Sequence, residues 1–252
     1  MDLSERAIDS FVRHPWEVAR FHFFQDLIDD LGALDTQTRI IDVGAGDAWF
    51  AMQLQRHLGP SSHVTCWDVN YTIEDLRDLN AASSGLAMDF TVERPSESSD
   101  IVLALDVIEH VEDDEDFTRS LVGLVRPGGL LVVSVPAYQS LFSSHDVTLA
   151  HFRRYGPSEV RSLLERCGLS VELEGGLFHL LLPLRALQVA LERVPGREGR
   201  GAGIGTWRAG PRITRGLVQV LDAEARLSRR WASRGHVVPG LSYWAVARPA
   251  TT

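Results

Sequence analysis

One pattern limits what this chain can become: short β-branched apolar runs alternate with stretches of helical periodicity. The runs fall at 39–43, 63–67, 86–90, 101–105 and 130–135, with helical stretches at 49–57, 72–81 and 114–124. Parallel strands need a crossover, usually a helix, so this order predicts an α/β fold with a doubly wound, mostly parallel sheet. IVLAL and LLVVSV are near-continuous apolar runs, which suits strands covered on both faces.

The flanks extend the pattern. Residues 4–31 read as one or two amphipathic helices, interrupted near His14-Pro15 and rich in aromatics. A helix is predicted at 157–167, with Pro157 near its first turn and Gly168 ending it. A strand follows at 169–174, and 242–247 is expected as its antiparallel neighbour. Between them lies an insertion: an apolar helix (178–194), a Gly/Arg-rich loop (196–210) and an amphipathic basic helix (212–231). The implied organisation is an N-terminal helical cap (1–35), an α/β core (36–175), the helical insertion (176–240), and the core's last strand with a tail (241–252).

Composition removes several chemistries. All 25 basic residues are Arg and none is Lys, which excludes a Walker-type phosphate loop, a Schiff base and a lysine general base. Cys66 and Cys167 have no partner spacing, which argues against a disulfide scaffold or zinc cluster and favours a reducing, cytoplasmic setting. MDLSERAIDS lacks a basic flank before an apolar core, so no secretory signal is expected, and no apolar run approaches the roughly 18 residues that span a bilayer. Charge is uneven: residues 1–150 carry 9 Arg against 26 acids, and 151–252 carry 16 against 8. The C-terminal part is suited to face an anion.

The chemistry-bearing residues sit where strands end. RIIDV runs into Gly44-Ala45-Gly46-Asp47-Ala48 and then a helix, so bare backbone amides are expected to approach a ligand there. About twenty residues on, the second strand closes with Asp68, a carboxylate suited to two ribose hydroxyls. These two features point to a nucleoside-type cofactor, dinucleotide or otherwise, over the alternative of a tight βα turn with an incidental Asp.

The ordered set IIDVGAGDA, WDVN, AMDF, DIVLALDVIEHVEDDEDF and VRPGGLLVVSVPAY, with the final helix–strand pair, resembles the class I S-adenosylmethionine (SAM)-dependent methyltransferases. Within these it is similar to the ubiquinone-biosynthesis O-methyltransferase-like (methyltransferase type 11) group, over residues 38–175 plus the last strand. The resemblance implies a seven-stranded Rossmann-like sheet with its last strand antiparallel, and in-line attack on the sulfonium methyl. It implies that Gly44, Ala45 and Gly46 form the turn beside the methionine moiety, and that Asp68 with Val69 clamps the ribose. Met88 and Asp89 would contact adenine, Asp42 would lie near the sulfonium amino group, and Leu105-Asp106 would edge the methionine chain. Ala48 stands where a third Gly often does, a change expected only to tighten helix packing. The Arg126-Pro127-Gly128-Gly129 turn and the DVIEHV box are not dehydrogenase hallmarks, which favours SAM over a nicotinamide.

Asp106, Glu109 and His110 fall at i, i+3 and i+4, so one helical turn would put them on a shared face. By resemblance to enzymes with an E-x-x-E-H box, these residues with His151 are candidate ligands for a divalent ion such as Mg; Mn, Fe or Zn would also suit the mixed donors. The alternatives are that His110 or His151 is a metal-free general base while Asp106 and Glu109 shape the pocket, or that these residues are purely structural. The segment His14-Pro15-Trp16-Glu17 with Arg20 is a candidate cap on the cofactor pocket, Arg20 reaching the SAM carboxylate, and Trp207 and Trp231 are candidates to line an acceptor cavity.

The expected activity is O-methylation of a small apolar or aromatic acceptor by a monomer or homodimer. The insertion carries 11 Arg against 4 acids over 185–234 and reads either as a lid over that acceptor or as a contact with an anionic membrane holding a lipid-linked one. Nucleic acid is disfavoured by the net charge of −9 and sparse stacking groups. A SAM- or nucleotide-binding module without methyl transfer is the different-class alternative.

Overall fold

The computed structural model describes residues 13–32, 37–194 and 209–250. Its strands are β1 (Arg39–Val43), β2 (His63–Trp67), β3 (Met88–Thr91), β4 (Ser99–Leu105), β5 (Val125–Pro136), β6 (Leu169–Leu177) and β7 (Ser242–Pro249). They form one seven-stranded sheet in the order β3-β2-β1-β4-β5-β7-β6. β7 runs antiparallel to both β5 and β6, and the remaining pairs are parallel. The strand order reverses between β1 and β4, and in open α/β sheets a ligand crevice opens outside the carboxyl ends of the strands at such a switch point.

Helices cover both faces: α1 (Pro15–Asp30), α2 (Trp49–Leu58), α3 (Ile73–Ala82), α4 (Asp114–Val122), α5 (Ser144–Thr148), α6 (Pro157–Arg166), α7 (Leu181–Glu192) and α8 (Pro211–Ala232). Local chemistry sets several starts. Thr72 and Asp75 form a reciprocal capping box at α3, and Asp113 accepts from the amide of Asp116 at α4. Pro157 occupies the first turn of α6, where its missing N–H costs nothing. α1 buries Phe23, Phe24, Leu27 and Ile28 in the core. Arg229 of α8 then ties Asp26 at 2.7 Å and Asp30 at 2.8 Å, clamping the N-terminal helix to the insertion.

Four expectations shift. The third strand starts at Met88 rather than 86, because Leu86 is used in a turn closed by its amide on the Ser83 carbonyl. The Arg126–Gly129 segment lies inside β5 as an irregularity. The register jumps from Ser99↔Val125 to Ile101↔Leu130, Gly128 has φ 80°, and a Cβ on Gly129 would come within 2.7 Å of the Asp100 carbonyl. β6 continues through Gly175 and Gly176 to Leu177, where Gly176 passes too close to Val238 and Gly240 for any side chain. Ala48 is not simply a packing substitution: it caps α2 at φ 54°, fully buried, in a left-handed conformation that strains any L-residue. No described helix is long and apolar enough to cross a membrane.

Candidate functional site

A cleft of about 1720 Å³ opens at the C-terminal ends of β1 and β4. Pockets for a single drug-sized ligand run roughly 300–1,000 Å³, so this one has room for two. One side is built by Gly44, Gly46, Asp68, Val69, Leu105 and Asp106, roofed by His14, Trp16 and Arg20. The other is built by Glu109, His110, His151 and Phe152 with Leu184 and Arg185 of α7, so the insertion does reach the cleft.

On the first side the glycines supply backbone shape rather than free donors. Gly44 and Gly46 have φ 64° and 54°, and a Cβ on Gly44 would sit 2.8 Å from Val107 Cγ2. Their amides are already satisfied: Gly44 donates to the Trp67 carbonyl at 2.7 Å and Gly46 to Asp68 Oδ2 at 2.9 Å. This corrects the expectation of bare amides. Asp68 also accepts from the amide of Asn70 at 2.9 Å, which fixes its carboxylate at the rim.

Arg20, reaching down from α1, puts Nη1 2.6 Å from Asp106 Oδ2. Ser134, the one hydroxyl in the apolar run of β5, donates to Asp106 Oδ1 at 2.9 Å. Asp106 has φ 58°, so the chain leaves β4 in a left-handed turn that aims this carboxylate at Arg20, away from the residues that follow. The prediction that Asp106 shares a face with Glu109 and His110 is therefore corrected; only the latter two sit on the short 3₁₀ turn Ile108–His110.

Glu109 and His110 are joined by His151. Their ligand-capable atoms lie within 4.8 Å of one another, and the two imidazoles meet edge to face at 4.6 Å. Glu109 is fully buried and neither carboxyl oxygen has a hydrogen-bond partner. Burial, with the charge of Asp106 adding, holds this carboxyl well above the usual range. Two orphaned buried oxygens beside two imidazoles fit a divalent cation held by Glu109, His110 and His151, without Asp106. One carboxylate with two imidazoles suits Zn, Fe or Mn better than Mg, which favours oxygen donors.

Of the remaining predicted cofactor contacts, the structure brings Arg20, Val69 and Leu105 to the cleft and leaves four outside its lining. Asp42 and Ala45 are buried behind the glycine turn, and Asp42 is raised to about 7 by burial, with Asp68 and Asp47 adding. Met88 is buried in the core. Asp89 accepts from His63 Nε2 at 2.9 Å on the exposed sheet edge, because it lies two residues short of the end of β3 and its side chain points away. Trp231 packs on His236 instead of lining the cleft, and Trp207 lies outside the described residues. Sequence reasoning missed Ser134, whose only signal was a hydroxyl in LLVVSV, and the Asp146 contacts described below.

A seven-stranded sheet in this order, carrying a glycine turn and an acidic strand end at the cleft, defines a Rossmann-like fold of the methyltransferase type. Residues 16–174 match the family described as methyltransferase domain, and the chain belongs to that family. It is 36% identical over 87 residues to a probable S-adenosylmethionine-dependent methyltransferase of Mycolicibacterium smegmatis, spanning 34% of each chain. It is 25% identical over 191 residues to a ubiquinone biosynthesis O-methyltransferase of Sinorhizobium fredii, spanning 66% of this chain and 76% of that one. A putative sarcosine dimethylglycine methyltransferase from Galdieria sulphuraria shares the fold, with TM-score 0.58, 13% identity, and 92% and 86% of the two chains covered. The matched segment is thus about a third of the first relative and three quarters of the second.

Proposed function

We propose that this chain transfers the methyl group of SAM to a hydroxyl of a small apolar or aromatic acceptor. The observation that carries this reading is the His110–His151 pair, which sits in the same cleft as the glycine turn and Asp68. When bound, SAM supplies an electrophilic methyl on a sulfonium, so the protein's task is alignment, exclusion of water and removal of one proton. In this reading Asp68 accepts from a ribose diol, and its carboxylate gives the donor side a negative charge that suits a sulfonium cation. Val147, Leu149 and Phe152 line an apolar approach to the imidazoles. His151 Nε2 takes the acceptor's proton in this reading, and Leu181 and Leu184 of α7 shed water from it.

Calorimetry with SAM, its demethylated product, NAD and ATP tests the donor, and a labelled-methyl screen of hydroxylated aromatics, with and without chelator, tests the acceptor. Binding of the two sulfur compounds alone, with label on a phenolic or alcoholic oxygen, is expected. Binding of NAD or ATP instead, or label only on nitrogen or carbon, would overturn the reading. Loss of labelling in chelator would assign Glu109, His110 and His151 to an ion.

One observation favours a second reading, an acceptor held at an anionic membrane surface. α7 is inverted: it buries only Arg185 and Val189, while Leu187 and Leu191 face outward at 59 and 42% exposure, beside Leu180 just before the helix at 54%. On α8, Ile213, Val220, Leu227 and Trp231 form an outward stripe beside exposed Arg212, Arg215, Arg226 and Arg230. Sedimentation with phosphatidylglycerol vesicles at low and moderate salt should pellet the protein, and Leu187→Glu should release it with little change in thermal stability. Equal pelleting of the variant, or none by the wild type, counts against the membrane.

A further inference from the structure

The segment between β5 and α6 holds a buried charge cluster that the mechanism above does not explain. Asp146, on the one-turn helix α5, is fully buried. Its Oδ1 lies 3.0 Å from His151 Nδ1 and accepts from Arg154 Nε at 2.7 Å. Its Oδ2 accepts from the Ser143 amide at 3.0 Å and lies 3.4 Å from Nη2 of Arg185, which also donates to Ser143 Oγ at 2.5 Å. Arg185 is 7% exposed and belongs to α7, so a buried charge of the insertion ends on the carboxylate that holds a cleft histidine.

We propose that Asp146 is the positioning residue for His151, fixing its Nδ1-protonated tautomer so that Nε2 is bare toward the cleft, and that Arg185 of the insertion keeps Asp146 in place. The chemistry is one-directional. A carboxylate only accepts, so an ionised Asp146 demands a proton on Nδ1 of His151, and a neutral imidazole has no second proton for Nε2. The partners of Asp146 suit an ionised carboxylate: Arg154 Nε donates to Oδ1, and the Ser143 amide donates to Oδ2 with the Arg185 guanidinium beside it. The other groups near His151 are Glu109 and His110, from the turn after β4, and His145 of α5, whose pKa is lowered by burial and by Arg185; Asp146 is the one hydrogen-bonded to Nδ1. A bare Nε2 is what either a general base or a metal ligand at this position requires. The insertion that covers the acceptor side therefore also sets the histidine beneath it, so packing of α7 and readiness of the site are linked through one carboxylate.

The catalytic meaning rests on the reading of His151 as the proton acceptor; the tautomer does not, and the test separates them. In ¹⁵N-histidine-labelled protein saturated with S-adenosylhomocysteine, with His151→Gln to assign the signal, wild-type His151 should be protonated on Nδ1. Asp146→Asn should raise the Nε2-protonated share at least tenfold, and Arg185→Gln should raise it by a smaller factor. Calorimetry with the same compound reports folding; where Asp146→Asn fails to bind it, the Arg185→Gln shift decides. In the labelled-methyl assay Asp146→Asn should lower kcat by roughly a hundredfold or more, with KM for SAM within about twofold. An Nε2-protonated His151 in the wild type, or an unchanged tautomer in the folded variants, overturns the proposal. The expected tautomer shift with kcat intact upholds the positioning and overturns His151 as the base.

Discussion

Arg20 Nη1 stands 2.6 Å from Asp106 Oδ2, tying α1 across the cleft to the end of β4. The pair exists because Asp106 turns left-handed at φ 58° as the chain leaves the sheet. Asn tolerates that region and a β-branched residue does not. Asp106→Asn should hold Tm within about 3 °C of wild type, whereas Asp106→Val should lower it by about 4–8 °C, as expected for strain of order 1–3 kcal/mol in a chain of this size. Equal Tm values for the two variants would remove backbone strain from the account.

Gly44→Ala meets two separable obstacles, a φ of 64° and a contact of 2.8 Å with Val107 Cγ2. It should destabilise by about 2 kcal/mol and weaken S-adenosylhomocysteine binding by roughly tenfold or more. Adding Val107→Ala should restore the steric share and leave the dihedral share, a coupling visible in a double-mutant cycle of Tm and affinity. Strict additivity would mean that Val107 does not crowd the turn.

Asp42 is raised to about 7 chiefly by burial, against an unfolded value near ~3.9. The folded state therefore holds this proton more tightly than the unfolded chain does. The resulting stabilisation is complete below about pH 4, declines as pH rises toward 7, and is gone above it. Asp42→Asn should thus gain Tm relative to wild type as pH rises from 4 to 7 and level off beyond. A difference independent of pH would place Asp42 in an environment that stabilises its charge.

Asp89 lies on the exposed edge with His63, at 2.9 Å, and not in the cleft. Asp89→Ala is expected to leave S-adenosylhomocysteine affinity within twofold by calorimetry. A tenfold loss would return this carboxylate to the adenine contact that the family resemblance implies.

Periodicity made the sheet legible. Continuous apolar runs marked β4 and β5 as doubly covered strands, and the spacing from Gly44–Gly46 to Asp68 marked the ends of β1 and β2 that meet at the cleft. These are local signals, because strand and helix periods are written in consecutive residues. Side-chain direction is not local in that sense. Asp106 left its expected partners through one left-handed dihedral, and Asp89, two residues before the end of β3, is taken by His63 on the exposed edge. The contacts that organise the acceptor side join Asp146 to Arg185, and those on the donor side join Arg20 to Ser134. Such pairs lie tens to more than a hundred residues apart, so only closure of the chain selects them: a buried charge takes whichever partner the packed elements deliver to it.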